Sequence, residues 1–302
     1  MDLQSKIILV SGPTSSGKSN FAVKLARKIN GEIINADSMQ VYKELKILTA
    51  RPKVNEYKKI RHHLYGFLSV KKNFSTGAWL KLTFQKIKEI KKRKKVPILV
   101  GGTGLYFKAL TEGLVKIPNI PNKFRNKIRK YHKTIGQKKF FTKLIKIDPL
   151  TKDKIKLTDV QRSLRAYEVK LFTKKSIFEW FKNTKSKYPI DEFIKIYIDY
   201  PRAELVEKIS ERTSKMIKSG AINEVKNFLK LNIRKDKTSN KVIGIKEIKD
   251  FIEKKSNLRE LTVKISIKTR QYAKRQATWA RGQMSDWQKI KPKDIGKFLK
   301  KI

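Results

Sequence analysis

Residues Gly12-Pro-Thr-Ser-Ser-Gly-Lys-Ser19 read G-x-x-x-x-G-K-S, the pattern of a phosphate-binding loop. The apolar run Ile7-Ile8-Leu9-Val10 precedes it and reads as a buried strand. After it, Phe21, Leu25 and Ile29 recur every fourth residue with Ala22 and Ala26 beside them, which predicts an amphipathic helix. The motif thus stands between a strand and a helix, where its mechanism needs it. Gly12 and Gly17 let the backbone across Pro13-Thr14-Ser15-Ser16 curl so that its successive N–H groups face an anion. The helix N-terminus adds partial positive charge. Lys18 is placed to neutralise terminal phosphate oxygens, and Ser19 to ligand Mg2+. Such a loop specifies a diphosphate or triphosphate; it does not specify a nucleotide.

The rest of the chain indicates what shares the site with phosphate. The formal net charge is +48, from 74 basic and 26 acidic residues. Such a field attracts polyanions, nucleic acid first among them. Part of the excess is compositional. Only 15 of the 74 are arginine, leaving 59 lysines spread over the whole length, in a chain also rich in Ile and Asn, as an AT-rich genome produces. There are no cysteines and three histidines, which leaves no disulfide, no thiolate metal site and little for a structural zinc. No apolar stretch approaches the ~20 residues of a membrane span and no signal-peptide core opens the chain, so a cytoplasmic location is expected.

Strand-like Glu32-Ile-Ile-Asn35 ends at Asp37-Ser38, and strand-like Val96-Pro-Ile-Leu-Val100 ends in Gly101-Gly-Thr-Gly104. His62 to Gly66 reads as a third short extended piece, Gly77 to Lys95 as a basic helix, and Leu105 to Leu110 as the start of another. Strand, loop and helix alternate, which predicts an α/β fold: a phosphate-loop NTPase-like core with a parallel sheet flanked by helices. Ligands collect at the carboxyl edge of such a sheet, so Asp37 is expected to face the loop. The strand at Val96–Val100 lacks the terminal Asp that holds magnesium in motor-type NTPases. Asp37 is the acidic group at the edge, free for proton chemistry.

Beyond Pro118 and Pro121 the chain turns helical and very basic, with Phe124, Tyr131, Phe140, Phe141, Tyr167, Phe172, Trp180 and Phe181 interleaved, until Phe193–Ile198 restores the strand pattern. This predicts an all-helical insertion over 116–189 within a core formed by 1–115 and 190–302. Its aromatics are expected to form the insertion's own core rather than platforms for bases. The last third reads as helical: a helix from Pro201 to a stop at Gly220, a break at Gly244, a long helix from Leu258 to Trp279, a Trp287 segment and a basic terminal helix.

In order, the chain carries the phosphate loop, Asp37-Ser-Met-Gln-Val-Tyr42, Thr49-Ala-Arg-Pro52, Val100-Gly-Gly-Thr-Gly-Leu-Tyr106, Val160-Gln-Arg-Ser-Leu-Arg165 and Lys268-Thr-Arg-Gln-Tyr-Ala-Lys-Arg-Gln-Ala-Thr-Trp279. This ordered set, over nearly the full chain, resembles the tRNA dimethylallyltransferase family of bacterial type. The resemblance implies that the loop binds dimethylallyl diphosphate. It further implies that the five-carbon group goes to the exocyclic N6 amine of the adenosine 3′ of the anticodon, in tRNAs reading U-starting codons. It implies Asp37 as general base and Arg212 as a second diphosphate ligand. Thr14 is implied on the diphosphate side of the reacting centre and Thr103 on the tRNA side. It also implies tRNA contacts from Ser38, Met39 and Gln40, from Arg125 in the insertion, from the segment Gln161, Arg162, Ser163, Leu164 and Arg165, and from Lys241 and Lys246. There the family often has an arginine-rich R-x-x-G-Y-R; lysine keeps the charge and loses the planar fork. Mg2+ is the implied cofactor, the tRNA anticodon stem-loop the implied partner, and no protein partner is implied. Two other readings share parts of this sequence: a small-molecule or nucleotide kinase, which shares the loop and sheet, and a non-catalytic RNA-binding protein with a vestigial loop.

Overall fold

The computed structural model describes residues 3–57, 59–182 and 184–302. The chain divides into two compact units, one formed by Met1–Thr111 with Tyr188–Ile302 and one by Glu112–Lys187. The inserted unit thus begins at 112 and ends at 187, where the sequence reading put 116 and 189.

In the first unit, β1 (Ile7–Ser11) is wholly buried and runs into the phosphate loop. Helix α1 (Lys18–Lys28) leaves that loop directly, with Gly17 as its N-cap, and buries Phe21, Ala22, Val23, Leu25 and Ala26. Next come β2 (Gly31–Asn35), the two-residue β3 (His62–His63) and α2 (Thr76–Lys92). The Oγ of Ser75 caps α2 by accepting the Ala78 amide. Then β4 (Val96–Gly101) leads into α3 (Gly104–Thr111).

The inserted unit holds α4 (Asn122–Ile147), α5 (Val160–Thr173) and α6 (Ile177–Lys182). Helix α4 bends at Gly136, whose φ of 74° interrupts the helical backbone. Phe140, Phe141 and Tyr167 are buried in this unit's own core with Ile128, Leu144 and Val169. Phe172 and Phe181 stay on its surface.

The first unit resumes with β5 (Phe193–Ile198), α7 (Arg202–Met216), α8 (Ile222–Lys230), α9 (Ile245–Ile252), α10 (Leu258–Gln283), β6 (Gln288–Ile290) and α11 (Ile295–Lys301). One expectation for this region holds and one is corrected. The helical backbone breaks at Gly220 (φ 98°), within the wide turn over Ile217–Ala221 that joins α7 to α8. The last third is not all helical. Gln288, Lys289 and Ile290 pair in parallel with Ile196, Tyr197 and Ile198. Three residues with one apolar side chain carry no periodic signal, and the pairing partner alone makes them a strand.

All neighbouring strands are parallel, in the order β3-β2-β4-β1-β5-β6. The carboxyl ends of β1, β2 and β4 therefore lie side by side, with Ser11 opposite Gly101 and Asn35 opposite Val100. This brings the phosphate loop, Asp37 and Gly102-Thr103 to one edge. One sheet face packs on α1 and α11 through Phe21, Ile295 and Phe298. Elsewhere in this unit Trp79 of α2 stacks on Tyr106 of α3 (centroids 4.2 Å apart, 13° between planes), and the Trp79 indole N–H donates to the Asn35 carbonyl at 2.8 Å. That bond anchors the end of β2 two residues before Asp37. Replacing Trp79 by Phe keeps most of the packing and leaves the carbonyl without this donor. We predict a loss of about 1–3 kcal/mol for Trp79→Phe and about 3–5 kcal/mol for Trp79→Ala, read as shifted urea midpoints at unchanged m.

Candidate active site

The loop is shaped by two left-handed residues, Ser15 (φ 67°) and Gly17 (φ 80°). Alternating backbone hands turn successive amides to the same side, which makes a concave anion site. Gly12 admits no side chain. A Cβ there would stand 2.9 Å from the Ser16 Oγ and 3.0 Å from the Ile198 carbonyl. Ser16 is buried, and its hydroxyl has no partner among the described residues.

Two cations enter this cradle. The Lys18 ammonium donates to the Pro13 carbonyl at 3.1 Å. Burial pushes its pKa down to about 8, partly opposed by the charge of Asp37 and reinforced by Arg212. Arg212 reaches in from α7 and donates through Nη1 to the Thr14 hydroxyl at 2.8 Å and to the Ser15 hydroxyl at 3.2 Å. Desolvation pulls its pKa down as well, with Asp37 pulling the other way. Arg212 is thus no solvated helix charge. The Thr14 amide donates to the Gln276 Oε1 at 2.9 Å, and its hydroxyl accepts from Arg212.

Asp37 is held by its neighbours. Its amide donates to the Asn35 Oδ1, and the Asn35 side-chain amide donates to the carbonyls of Asp37 and Leu64. The Asp37 Oδ1 accepts the Met39 amide at 2.9 Å, an Asx turn. Among the described residues nothing donates to Oδ2. Tyr65, Tyr106 and Tyr272 lie within the electrostatic reach of the carboxylate. Burial raises all three phenol pKa values, and the charge of Asp37 raises them further, so they stay neutral hydroxyls at neutral pH. The Thr103 hydroxyl accepts the Ser38 amide at 3.0 Å and donates to the Ser38 hydroxyl at 3.3 Å, while the Thr103 amide donates to the Ala36 carbonyl. The loops after β2 and β4 are thereby stitched together. Gln40 is turned inward, its side-chain amide donating to the carbonyls of Thr49 and Ala50.

Thr14, Asp37 and Arg212 form the polar end of a cavity of about 230 Å³. Met39, Leu48, Met216, Val242 and Ile265 give it an apolar wall, and Lys241 also lines it. Lys246 stays outside the cavity lining, exposed and 3.3 Å from Asp250. An anion-accepting end, a carboxylate and an apolar wall suit a small amphiphile with a charged head. Sequence reasoning missed Thr269, Tyr272 and Gln276. The signal was present: Ile265, Thr269, Tyr272 and Gln276 are spaced 4, 3 and 4 residues apart, one stripe of α10. Helix α10 also explains two glycines, since a Cβ at Gly102 or Gly104 would stand 2.1 Å from the Gln276 Nε2 or the Trp279 Nε1.

Ser19 lies exposed in the first turn of α1 and lines a second cavity of about 410 Å³ with Asn20, Pro52, Glu56, His62 and Tyr65. In the inserted unit, Gln161 and Arg162 are exposed on α5, with the Arg162 Nε 3.4 Å from Asp159. Arg125, Arg129 and Arg165 converge on the buried carboxylate of Glu168, each at 3.8 Å. Ser163 corrects the sequence reading: it is 0% exposed and donates to the Asp159 carbonyl, so its side chain is not open to RNA. Leu164 is half-buried against the unit's core.

Lys18 and Arg212 place two desolvated cations against one carboxylate, and an anion completes the balance. We predict that Arg212→Ala weakens binding of inorganic diphosphate by about 1.5–3 kcal/mol, tenfold or more, in titration calorimetry. Arg212→Lys recovers part of the loss, because it keeps charge without the fork. Unchanged affinity in Arg212→Ala contradicts this assignment.

Comparison with known proteins agrees with this geometry. The family model described as IPP transferase matches residues 40–283. A tRNA dimethylallyltransferase of Pelagibacter ubique is 60% identical over 302 residues, covering 100% of this chain and 96% of its own. The crystal structure of the full-length tRNA isopentenylpyrophosphate transferase of Bacillus halodurans is 30% identical, with a TM-score of 0.69, 98% of this chain and 95% of its own covered. A eukaryotic dimethylallyltransferase captured acting on tRNA is 27% identical, with a TM-score of 0.82, 95% of this chain and 73% of its own covered. With a phosphate loop, a carboxylate and an apolar cavity gathered at one sheet edge, this chain belongs to the IPP transferase family, the family of the tRNA dimethylallyltransferases.

Proposed function

We propose that the protein transfers the dimethylallyl group of dimethylallyl diphosphate to the N6 amine of the adenosine 3′ of the anticodon in tRNAs reading U-starting codons, and releases diphosphate. The observation that carries this reading is the pair of desolvated cations, Lys18 and Arg212, beside Asp37 at the polar end of an apolar cavity. Lys18 and the loop amides take the diphosphate, and Arg212 adds a second cation. The C1–O bond of the allylic diphosphate breaks as these groups take up the charge of the leaving oxygen. That electrostatic contribution is the larger share of the rate enhancement. The C1–N6 bond forms, and the proton leaving N6 goes to the free Oδ2 of Asp37. Adenine N6 is a poor nucleophile because its lone pair is delocalised, so a base at this point contributes roughly 10²–10⁴-fold. The apolar wall keeps water from the allylic carbon.

Mg2+ fits this arrangement. The Ser19 hydroxyl is a hard oxygen donor, open to solvent beside the phosphate loop. Among the described residues no group of three His, Cys, Asp or Glu could hold a metal; Ser19 would hold the ion together with phosphate oxygens and water, as magnesium is commonly held. Bound there, it would neutralise part of the charge on the leaving group. For the acceptor, the adenosine must leave its stack to reach an enclosed centre. Arg125, Gln161, Arg162 and Arg165 of the inserted unit, with Lys241, Lys246, Ser38, Met39 and Thr103 of the first unit, are the contacts proposed for the anticodon stem-loop, in the cytoplasm. Among the described residues no helix is long and apolar enough to cross a membrane.

The test uses radiolabelled dimethylallyl diphosphate, magnesium and two anticodon stem-loops that differ only in adenosine or guanosine 3′ of the anticodon. Label enters only the adenosine stem-loop with wild type. With Asp37→Ala it enters neither, while stem-loop affinity stays within a few-fold. Labelling of the guanosine stem-loop, or near-normal turnover by Asp37→Ala, overturns acceptor or base.

A further inference from the structure

Gln276 sits where the two halves of the proposed reaction meet, and one side chain touches both. Its Oε1 accepts the Thr14 amide of the phosphate loop at 2.9 Å. Its Nε2 donates to the Gly102 carbonyl of the loop after β4, also at 2.9 Å. A primary amide has one accepting and one donating end, and each meets its complement, so the orientation is fixed. The adjoining bonds carry the connection on. Gly102 precedes Thr103, whose hydroxyl holds the Ser38 amide, and Ser38 follows Asp37. A chain of hydrogen bonds and peptide links thus runs from the diphosphate cradle through Gln276 to the carboxylate. The fit at Gly102 is tight: a Cβ there would stand 2.1 Å from the Gln276 Nε2, with the Gly12 carbonyl next at 3.5 Å. Helix α10 holds Gln276 in place by burying Ile265, Thr269, Ala273 and Ala280 on either side of it along the chain.

We infer that Gln276 is a positioning residue that fixes the spacing between the phosphate loop and the Gly102–Thr103 loop, and so between the allylic carbon and the base-bearing side of the site. This rests on the prenyl-transfer reading above. Gln276 reaches the reaction through two backbone groups. The Thr14 amide is committed to it and not to a ligand. Spacing errors of about 1 Å between reacting groups cost on the order of 100-fold in rate, with little effect on ground-state affinity. Loss of the clip is therefore read in kcat before KM.

The test compares wild type with Gln276→Met, which keeps the length and removes both hydrogen bonds, and Gln276→Glu, which keeps the acceptor for Thr14 and sets a carboxylate oxygen against the Gly102 carbonyl. Both variants are expected to lose roughly 10–100-fold in kcat, with KM for each substrate within about threefold. Gly102→Ala is expected to lose activity in the wild-type background and to add little in Gln276→Ala, where its Cβ has room, a non-additive cycle. Amide exchange over 12–19 and 101–104, on the same samples, reads the clip without turnover: both segments exchange faster in Gln276→Met. Unchanged kcat in a folded Gln276→Met overturns the inference. So do a loss confined to the donor KM, full additivity with Gly102→Ala, or unchanged exchange. A wild type that labels no stem-loop overturns the prenyl-transfer reading instead, and exchange still decides whether the clip exists.

Discussion

Lys18 and Arg212 set the condition that the rest of the first unit serves. Burial lowers the pKa of each, and the charge of Asp37 opposes both shifts. Desolvated like charges are costly, and the arrangement holds because packed elements impose it. Lys18 comes from the first residue of α1, fixed by the turn at Ser15 and Gly17. Arg212 comes from α7, which packs along α10 through Leu205, Ile209 and Ala273. Asp37 comes from the end of β2, braced by Asn35 and by the Trp79 indole. Three separate elements converge on one edge, two cations against one carboxylate.

The edge itself was legible in the sequence. The glycine-lysine-serine loop needs a strand before it and a helix after it, and both have strong periodicity. Asp37 and Gly102-Thr103 could be placed because they follow apolar runs that only parallel strands explain. What stayed illegible depends on partners distant in the chain. β6 is a strand only because β5 offers it an edge. The glycines at 102 and 104 do not mark backbone hand at all; they make room for Gln276 and Trp279, 174 and 175 residues further on, from 276 − 102 and 279 − 104. The stripe Ile265-Thr269-Tyr272-Gln276 was readable as a face. That the face closes the site was not.

The inserted unit repeats the electrostatic theme with a different balance. Three arginines stand 3.8 Å from the buried Glu168, so one carboxylate gathers their charge, and the buried Arg125 Nε has no hydrogen-bond partner among the described residues. Arg125 and Arg165 were legible only through resemblance, since basic residues on a basic helix look alike. Ser163 shows the limit of carrying a whole segment over. On one helix, successive residues point in different directions, and this one is buried.

The account's central claim is that Lys18 is held partly uncharged until an anion arrives. An anion beside a lysine favours the charged form and raises its pKa, so near pH 8 binding must draw protons from solution. The direct measurement is calorimetric binding of dimethylallyl diphosphate from pH 7 to 9.5 in buffers of different ionisation enthalpy, for wild type and for Lys18→Arg, whose guanidinium does not titrate in this range. The difference between the two proteins cancels the ligand's own titration. The account predicts extra proton uptake by wild type that peaks above pH 8 and fades toward pH 7. Equal proton uptake by the two proteins at every pH contradicts it.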